Sequence, residues 1–145
     1  MPRRLSLSLK RDEALRATRV SIGRSRLVYV LVADKRLEYP NGRSRIAYIG
    51  TTKKGVARIA QSVAFRADKI LGLPGVRSFH ARIITCKRRQ RVSTWKKLER
   101  ALLLVFREQR GKQPLCNSHG KRIKETDEFR YFAKSGVEHV LDELH

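Results

Sequence analysis

A chain of 145 residues with 41% hydrophobic content is long enough for one domain with a real core, which excludes a disordered basic tail. Lysine and arginine number 34 against 13 aspartates and glutamates, giving +21 at pH 7; a polyanion offsets such self-repulsion, with nucleic acid the leading candidate and an anionic membrane surface the weaker one. Two cysteines exclude a disulfide scaffold, no apolar run reaches bilayer length, and the N-terminus lacks the apolar region of a secretory signal, so an intracellular protein outside the membrane is expected.

Residues 1–26 read as a basic N-terminal extension, with a short LSLSL alternation and a helical turn at DEALRAT, and residues 27–145 as the domain. The positive surplus lies entirely in residues 1–124, because residues 125–145 carry two basic and six acidic side chains.

LVYVLVA (27–33) and RIAYIG (45–50) have the β-branched and aromatic content of strands. Period two places Leu27, Tyr29, Leu31 and Ala33 on one face of the first, and Ile46, Tyr48 and Gly50 on one face of the second. Antiparallel pairing would bring the phenols of Tyr29 and Tyr48 together. The intervening DKRLEYPNGRS (34–44) carries Pro40 and an Asn41-Gly42 turn signal and reads as a long polar loop.

Thr51 and Thr52 offer caps to a helix in which Val56, Ile59, Ala60, Val63, Ala67, Ile70 and Leu71 recur at helical spacing until GLPG. At about 100° per residue they form one stripe, with Arg58, Ser62 and Phe65 on the far side. Taken alone, Arg58 is a solvated arginine. VRSFHARIITC (76–86) alternates Phe79, Ala81 and Ile83 against His80, Arg82 and Ile84 and reads as a third strand. KRRQR (87–91) is then either a phosphate-contacting loop or a solvated turn. Its Lys87, Arg88, Arg89 and Arg91 join Lys53, Lys54, Lys121 and Arg122 as candidate nucleic-acid contacts.

The next helix spans about Ser93 to Gln109, with Ser93 or Thr94 as its cap and Gly111 beyond its end. Leu98, Leu102, Val105 and Phe106 fall within about 80° of Trp95, and Lys96, Lys97, Arg100 and Arg107 lie opposite. Glu99, at about 40°, sits on the edge of the apolar stripe, where a carboxylate needs a cation or a donor. A structural arginine and a divalent metal both satisfy that need. GKQPLCNSHGKR (111–122) is rich in turn formers, and Cys116 with His119 is a lone C-x-x-H pair, weak evidence for zinc even if Cys86 or His80 completed it. Phe129, Phe132, Val137, Val140 and Leu141 predict one or two short closing helices.

In this order the residues resemble the GIY-YIG nucleases. Leu27-Val28-Tyr29 stands where the first signature falls, Tyr48-Ile49-Gly50 matches the second, Arg58 follows on the next helix, Glu99 on a later one, and Pro114-Leu115-Cys116-Asn117 is similar to the terminal asparagine motif. The series covers residues 27–117. It departs from the family in keeping only the tyrosine of the first signature, in the long segment before Tyr48, and in Ser62, which stands where a His or Tyr is common.

The resemblance implies an α+β fold, a three-stranded antiparallel sheet flanked by helices, and a divalent-metal-dependent endonuclease acting on nucleic acid, DNA before RNA. It implies Glu99 as ligand of Mg²⁺ or Mn²⁺, Arg58 as the phosphate-binding cation, Tyr29 as the group orienting water, Tyr48 as a second hydrogen-bonding group, and Gly50 and Asn117 as structural residues near the site. The competing expectation is a non-catalytic DNA- or RNA-binding module on the same fold; a structural protein of a ribonucleoprotein is a third.

Overall fold

A computed structural model describes residues 3–19, 23, 25–117 and 123–145. In chain order the elements are β1 (Leu27–Tyr39), β2 (Gly42–Thr52), α1 (Val56–Leu71), β3 (Phe79–Ile84), α2 (Thr94–Arg110), α3 (Glu128–Tyr131) and α4 (Lys134–Leu144). The three strands form one antiparallel sheet in the order β2-β1-β3, so the α+β architecture expected from the sequence is the one found.

β1 is the central strand, and its residues 27–33 are all buried. Seven consecutive buried positions require cover on both faces. Tyr29 reaches Ser62 of α1, so the odd positions face α1; α2 packs on β2 and β1 and receives α3 and α4.

The segment 34–44 is not a loop. Both strands continue through it to a two-residue turn at Pro40–Asn41, with Tyr39 paired to Gly42. The charged residues stand on the exposed side while Leu37 and Tyr39 stay buried. Tyr39 donates to the Ile46 carbonyl (2.6 Å), accepts from the Leu115 N–H (3.1 Å) and meets Phe106 edge-on with centroids 5.1 Å apart. The turn itself docks on the end of α2 through Asn41 N–H to the Arg110 carbonyl, 3.1 Å.

Leu31 pairs with Tyr48 but Val32 pairs with Ile46, leaving Ala47 as an extra residue. This bulge turns Ile46 to the face opposite Tyr48, against the simple alternation read from the sequence.

Thr51 and Thr52 do not cap α1. Thr52 Oγ1 instead accepts the Lys54 N–H (2.9 Å), and the helix starts after Gly55, whose φ of 66° lies in the left-handed region that a side chain disfavours. The buried face of α1 holds Ile59, Ser62 and Ile70, whereas Val56 and Leu71 are exposed. The helix is therefore rotated from its apolar stripe toward Ser62, while Arg58 and Phe65 do point outward. α2 follows its predicted wheel, burying Trp95, Leu98, Leu102, Val105 and Phe106, and ends on Gly111, at φ 86°, whose N–H bonds the Arg107 carbonyl at 2.8 Å.

Residues 3–18 form neither helix nor strand and are exposed; in place of a DEALRAT helical turn, Arg16 pairs with Glu13 at 2.6 Å. Among the described residues no helix is long and apolar enough to cross a membrane.

Candidate active site

Antiparallel register sets Tyr29 directly opposite Gly50, and Tyr48, two residues before Gly50, points to the same side. The rings lie 5.8 Å apart, tilted by 41°. Gly50 makes room for this: a Cβ there would stand 2.6 Å from Tyr48 Cε1 and 2.8 Å from its hydroxyl. Gly50→Ala is expected to displace the Tyr48 ring and lower stability by about 1–3 kcal/mol, the usual cost of overpacking. Urea unfolding and the near-UV tyrosine signal measure both effects; an unchanged signal would show that the ring does not need the space.

Burial, helped by the neighbouring Tyr29 phenol, pushes Tyr48 up to about 12 against the opposing effect of Arg66. At neutral pH Tyr48 is accordingly a protonated hydrogen-bonding group rather than a base. Tyr29 is buried and donates to Ser62 Oγ at 2.7 Å.

Two residues of α1 that the periodicity passed over complete this cluster. Ser62, 5% exposed, accepts from Tyr29 and also from Arg66 Nη1 at 2.8 Å, and the Arg66 guanidinium lies 3.8 Å from the centroid of the Tyr48 ring. A stripe built from apolar residues cannot single out a serine that is buried because it is hydrogen-bonded, or an arginine held by an aromatic face. Arg58 stands one turn before Ser62 but on the exposed flank of the helix, with its guanidinium donating to Gln61 at 3.3 Å. The fold thus brings Arg66 onto the tyrosine pair and leaves Arg58 at the rim.

Glu99 of α2 is half-buried, and the Thr51 side chain lies near enough to draw its carboxyl down. It lies close enough to Tyr48 for its charge to raise that phenol. None of the ion pairs among the described residues includes it. Two basic side chains near it in the chain are engaged elsewhere, Lys97 with Asp127 and Arg100 with Glu128, each at 2.6 Å, while Lys96 is exposed and acts on Glu99 only through its charge. Burial therefore lifts the Glu99 carboxyl above its ordinary range, with Thr51, Arg100 and Lys96 pulling it back only in part.

A desolvated carboxylate that no described residue pairs with, beside the Thr51 hydroxyl, is a donor set that suits a hard divalent ion. Among the described residues no three His, Cys, Asp or Glu side chains converge, so water and substrate oxygens would complete the coordination of an ion at Glu99, as is usual for Mg²⁺. Cys86 and Cys116 are free thiols, and His119 lies outside the described residues.

Asn117 serves the backbone. Its Oδ1 accepts the Ile49 N–H (3.1 Å) and its Nδ2 donates to the Ile49 carbonyl (2.9 Å), while Cys116 N–H bonds the Ala47 carbonyl at 2.9 Å. These bonds satisfy the outer edge of β2 beside Tyr48. Lys53, Lys54, Lys87, Arg88, Arg89 and Arg91 are all exposed, and Arg89 also sits 5.4 Å from the Tyr131 ring centroid. Lys121 and Arg122 lie outside the described residues.

Comparison with family models, with curated proteins and with solved structures finds no match; the functional reading accordingly stands on these residues and their geometry.

Proposed function

We propose that this chain is a divalent-metal-dependent endonuclease of the GIY-YIG kind, hydrolysing phosphodiester bonds in nucleic acid, DNA in preference to RNA. The observation that carries the reading is Glu99: a half-buried carboxylate without an ion pair among the described residues, on the helix that faces the strand bearing Tyr48 and Thr51, in a chain of charge +21. A Mg²⁺ or Mn²⁺ ion bound there supplies positive charge against the phosphoryl and leaving oxygens.

The remaining work falls to the chain's own groups. Arg58, exposed at the rim, carries the forked donors of a guanidinium and suits the non-bridging phosphate oxygens. Tyr48 offers a protonated hydroxyl, and Tyr29, fixed by Ser62, has oxygen lone pairs with which to orient a water. Arg66 holds the Tyr48 ring and the Ser62 hydroxyl in place. Exposed lysines and arginines from Lys53 to Arg91 carry the sequence-independent phosphate contacts.

The second reading, a nucleic-acid-binding module without chemistry, is favoured by Tyr48 being pushed up to about 12, which leaves it a poor base. Incubation with supercoiled plasmid, branched DNA and RNA, each with Mg²⁺ or with EDTA, separates the two. Cleavage that needs Mg²⁺ and falls in Arg58→Ala is the expected outcome. Salt-sensitive binding with no cutting of any substrate would replace the nuclease reading with the second one.

A further inference from the structure

We propose that Phe65 is a stacking platform for an unpaired nucleobase, placed beside the tyrosine site so that the substrate is single-stranded or locally unpaired nucleic acid rather than continuous duplex. Phe65 is 82% exposed, although it sits mid-helix in α1 with a buried face one turn away at Ser62. Its exposed neighbours at helical spacings of three and four are Gln61, Asp68 and Lys69, and Arg58, also exposed, stands two turns before it.

The ring is also joined to the site. Arg66 lies 5.5 Å from the Phe65 centroid and 3.8 Å from the Tyr48 centroid, so one guanidinium links the exposed ring to the tyrosine pair. A nucleotide stacked on Phe65 would hold its phosphates within the field of Arg58, Arg66 and Lys69.

The surroundings select the occupant. An apolar ring with Arg66 against it and Lys69 one turn away, outnumbering the single nearby acid Asp68, is a poor docking point for a second copy of a chain that carries +21, because the copies repel. Every base presents a π-face and every linkage a negative charge, which matches an aromatic flanked by guanidinium and ammonium groups. A base inside a duplex has both faces covered by its neighbours, so only an unpaired, frayed or flipped base can stack on the ring.

This inference rests on the nucleic-acid part of the proposed function and not on cleavage, and it is tested without cleavage. Wild type, Phe65→Ala and Phe65→Trp are titrated in EDTA against fluorescein-labelled single-stranded DNA, single-stranded RNA and a fully paired DNA duplex. Phe65→Ala is expected to weaken single-strand binding about tenfold, the usual loss on removing one stacked aromatic, with duplex binding changed less than about twofold. Phe65→Trp is expected to keep the wild-type affinity, and the introduced indole to be quenched by single strands and not by duplex, over a background from Trp95, which is buried.

Single-strand affinity unchanged in Phe65→Ala, or an equal loss on single strand and duplex, would overturn the stacking role and leave the nuclease reading standing. Wild type that binds none of the probes would overturn both. Selective loss in a protein that never cuts would uphold the stacking role and reject only the nuclease.

Discussion

Glu99→Gln is expected to lower Mg²⁺-dependent cleavage by about 10³-fold and, in the same protein, to raise thermal stability at neutral pH. The first effect follows from removing the negative charge that would hold the ion, an interaction of several kcal/mol at about 1.4 kcal/mol per factor of ten. The second follows from burial. Desolvation holds the Glu99 carboxyl above its ordinary 4.5 in the folded chain, and the Thr51 hydroxyl and the Arg100 and Lys96 charges do not cancel that rise.

For a carboxyl raised on folding, the stabilising contribution of the neutral form is complete below the unfolded value and is lost as pH rises through the folded one. At neutral pH wild type therefore carries the full cost of a half-buried charge, and glutamine, which keeps the shape without the charge, does not. Below the ordinary carboxylate range both side chains are neutral and the difference in Tm should vanish. Calorimetry of the two proteins across this range, beside a plasmid-nicking assay, measures both parts. Glu99→Gln that cuts at the wild-type rate would remove Glu99 from the chemistry, and one that melts lower than wild type at neutral pH would mean that its charge is compensated in the fold.

Arg100→Ala is expected to cost about 3 kcal/mol of stability, because it leaves a buried carboxylate without its cation. Glu128 is 1% exposed and receives Arg100 Nε at 2.6 Å, the Thr126 N–H at 2.7 Å and the Thr126 hydroxyl at 2.9 Å. Burial alone would push the Glu128 carboxyl up; Arg100 and the Thr126 donors outweigh it and hold the group at about 2. Its pKa is thus depressed on folding, so its contribution is complete above the ordinary 4.5 and is lost as pH falls toward about 2.

Wild type should accordingly lose stability across that acid window, and Arg100→Ala should lose much less there because part of the contribution is already gone. Adding Glu128→Gln to Arg100→Ala should restore part of the stability, as removal of an unpaired buried charge does. A loss below about 1 kcal/mol in Arg100→Ala would place the pair with ordinary surface ion pairs. The same ion pair bears on the site, because Arg100 is the residue after Glu99. Held by Glu128 and by the Lys124 carbonyl, it is kept from pairing with Glu99. Glu128→Gln alone should release Arg100 toward Glu99 and lower the apparent affinity of the site for Mg²⁺, which metal titration of cleavage would read.

Much of the frame was legible in the residues. β-branched runs around Tyr29 and Tyr48, the helical spacing from Ile59 to Ile70, and the wheel of α2 around Trp95 each carry a period that local geometry enforces. The hairpin between 34 and 44 escaped because Pro40 and the charged residues dominate its composition, although Leu37 and Tyr39 already alternate with Arg36 and Glu38. Its strand character becomes necessary only when Tyr39 meets Phe106, Ile46 and Leu115.

Side-chain order along the chain by itself determined three strands, two long helices and a carboxylate at the margin of an apolar stripe, since hydrophobic period is a property of neighbouring residues; the antiparallel pairing that puts Tyr29 and Tyr48 on one face came from the family resemblance as an expectation and from the sheet as a fact. Only the tertiary structure decided that α1 turns Ser62 and Arg66 rather than Arg58 to the phenols, and that Arg100 is committed to Glu128 and not to Glu99. Those outcomes depend on which side chains meet across elements far apart in the chain. Hydrogen-bond partners at that distance leave no period to read.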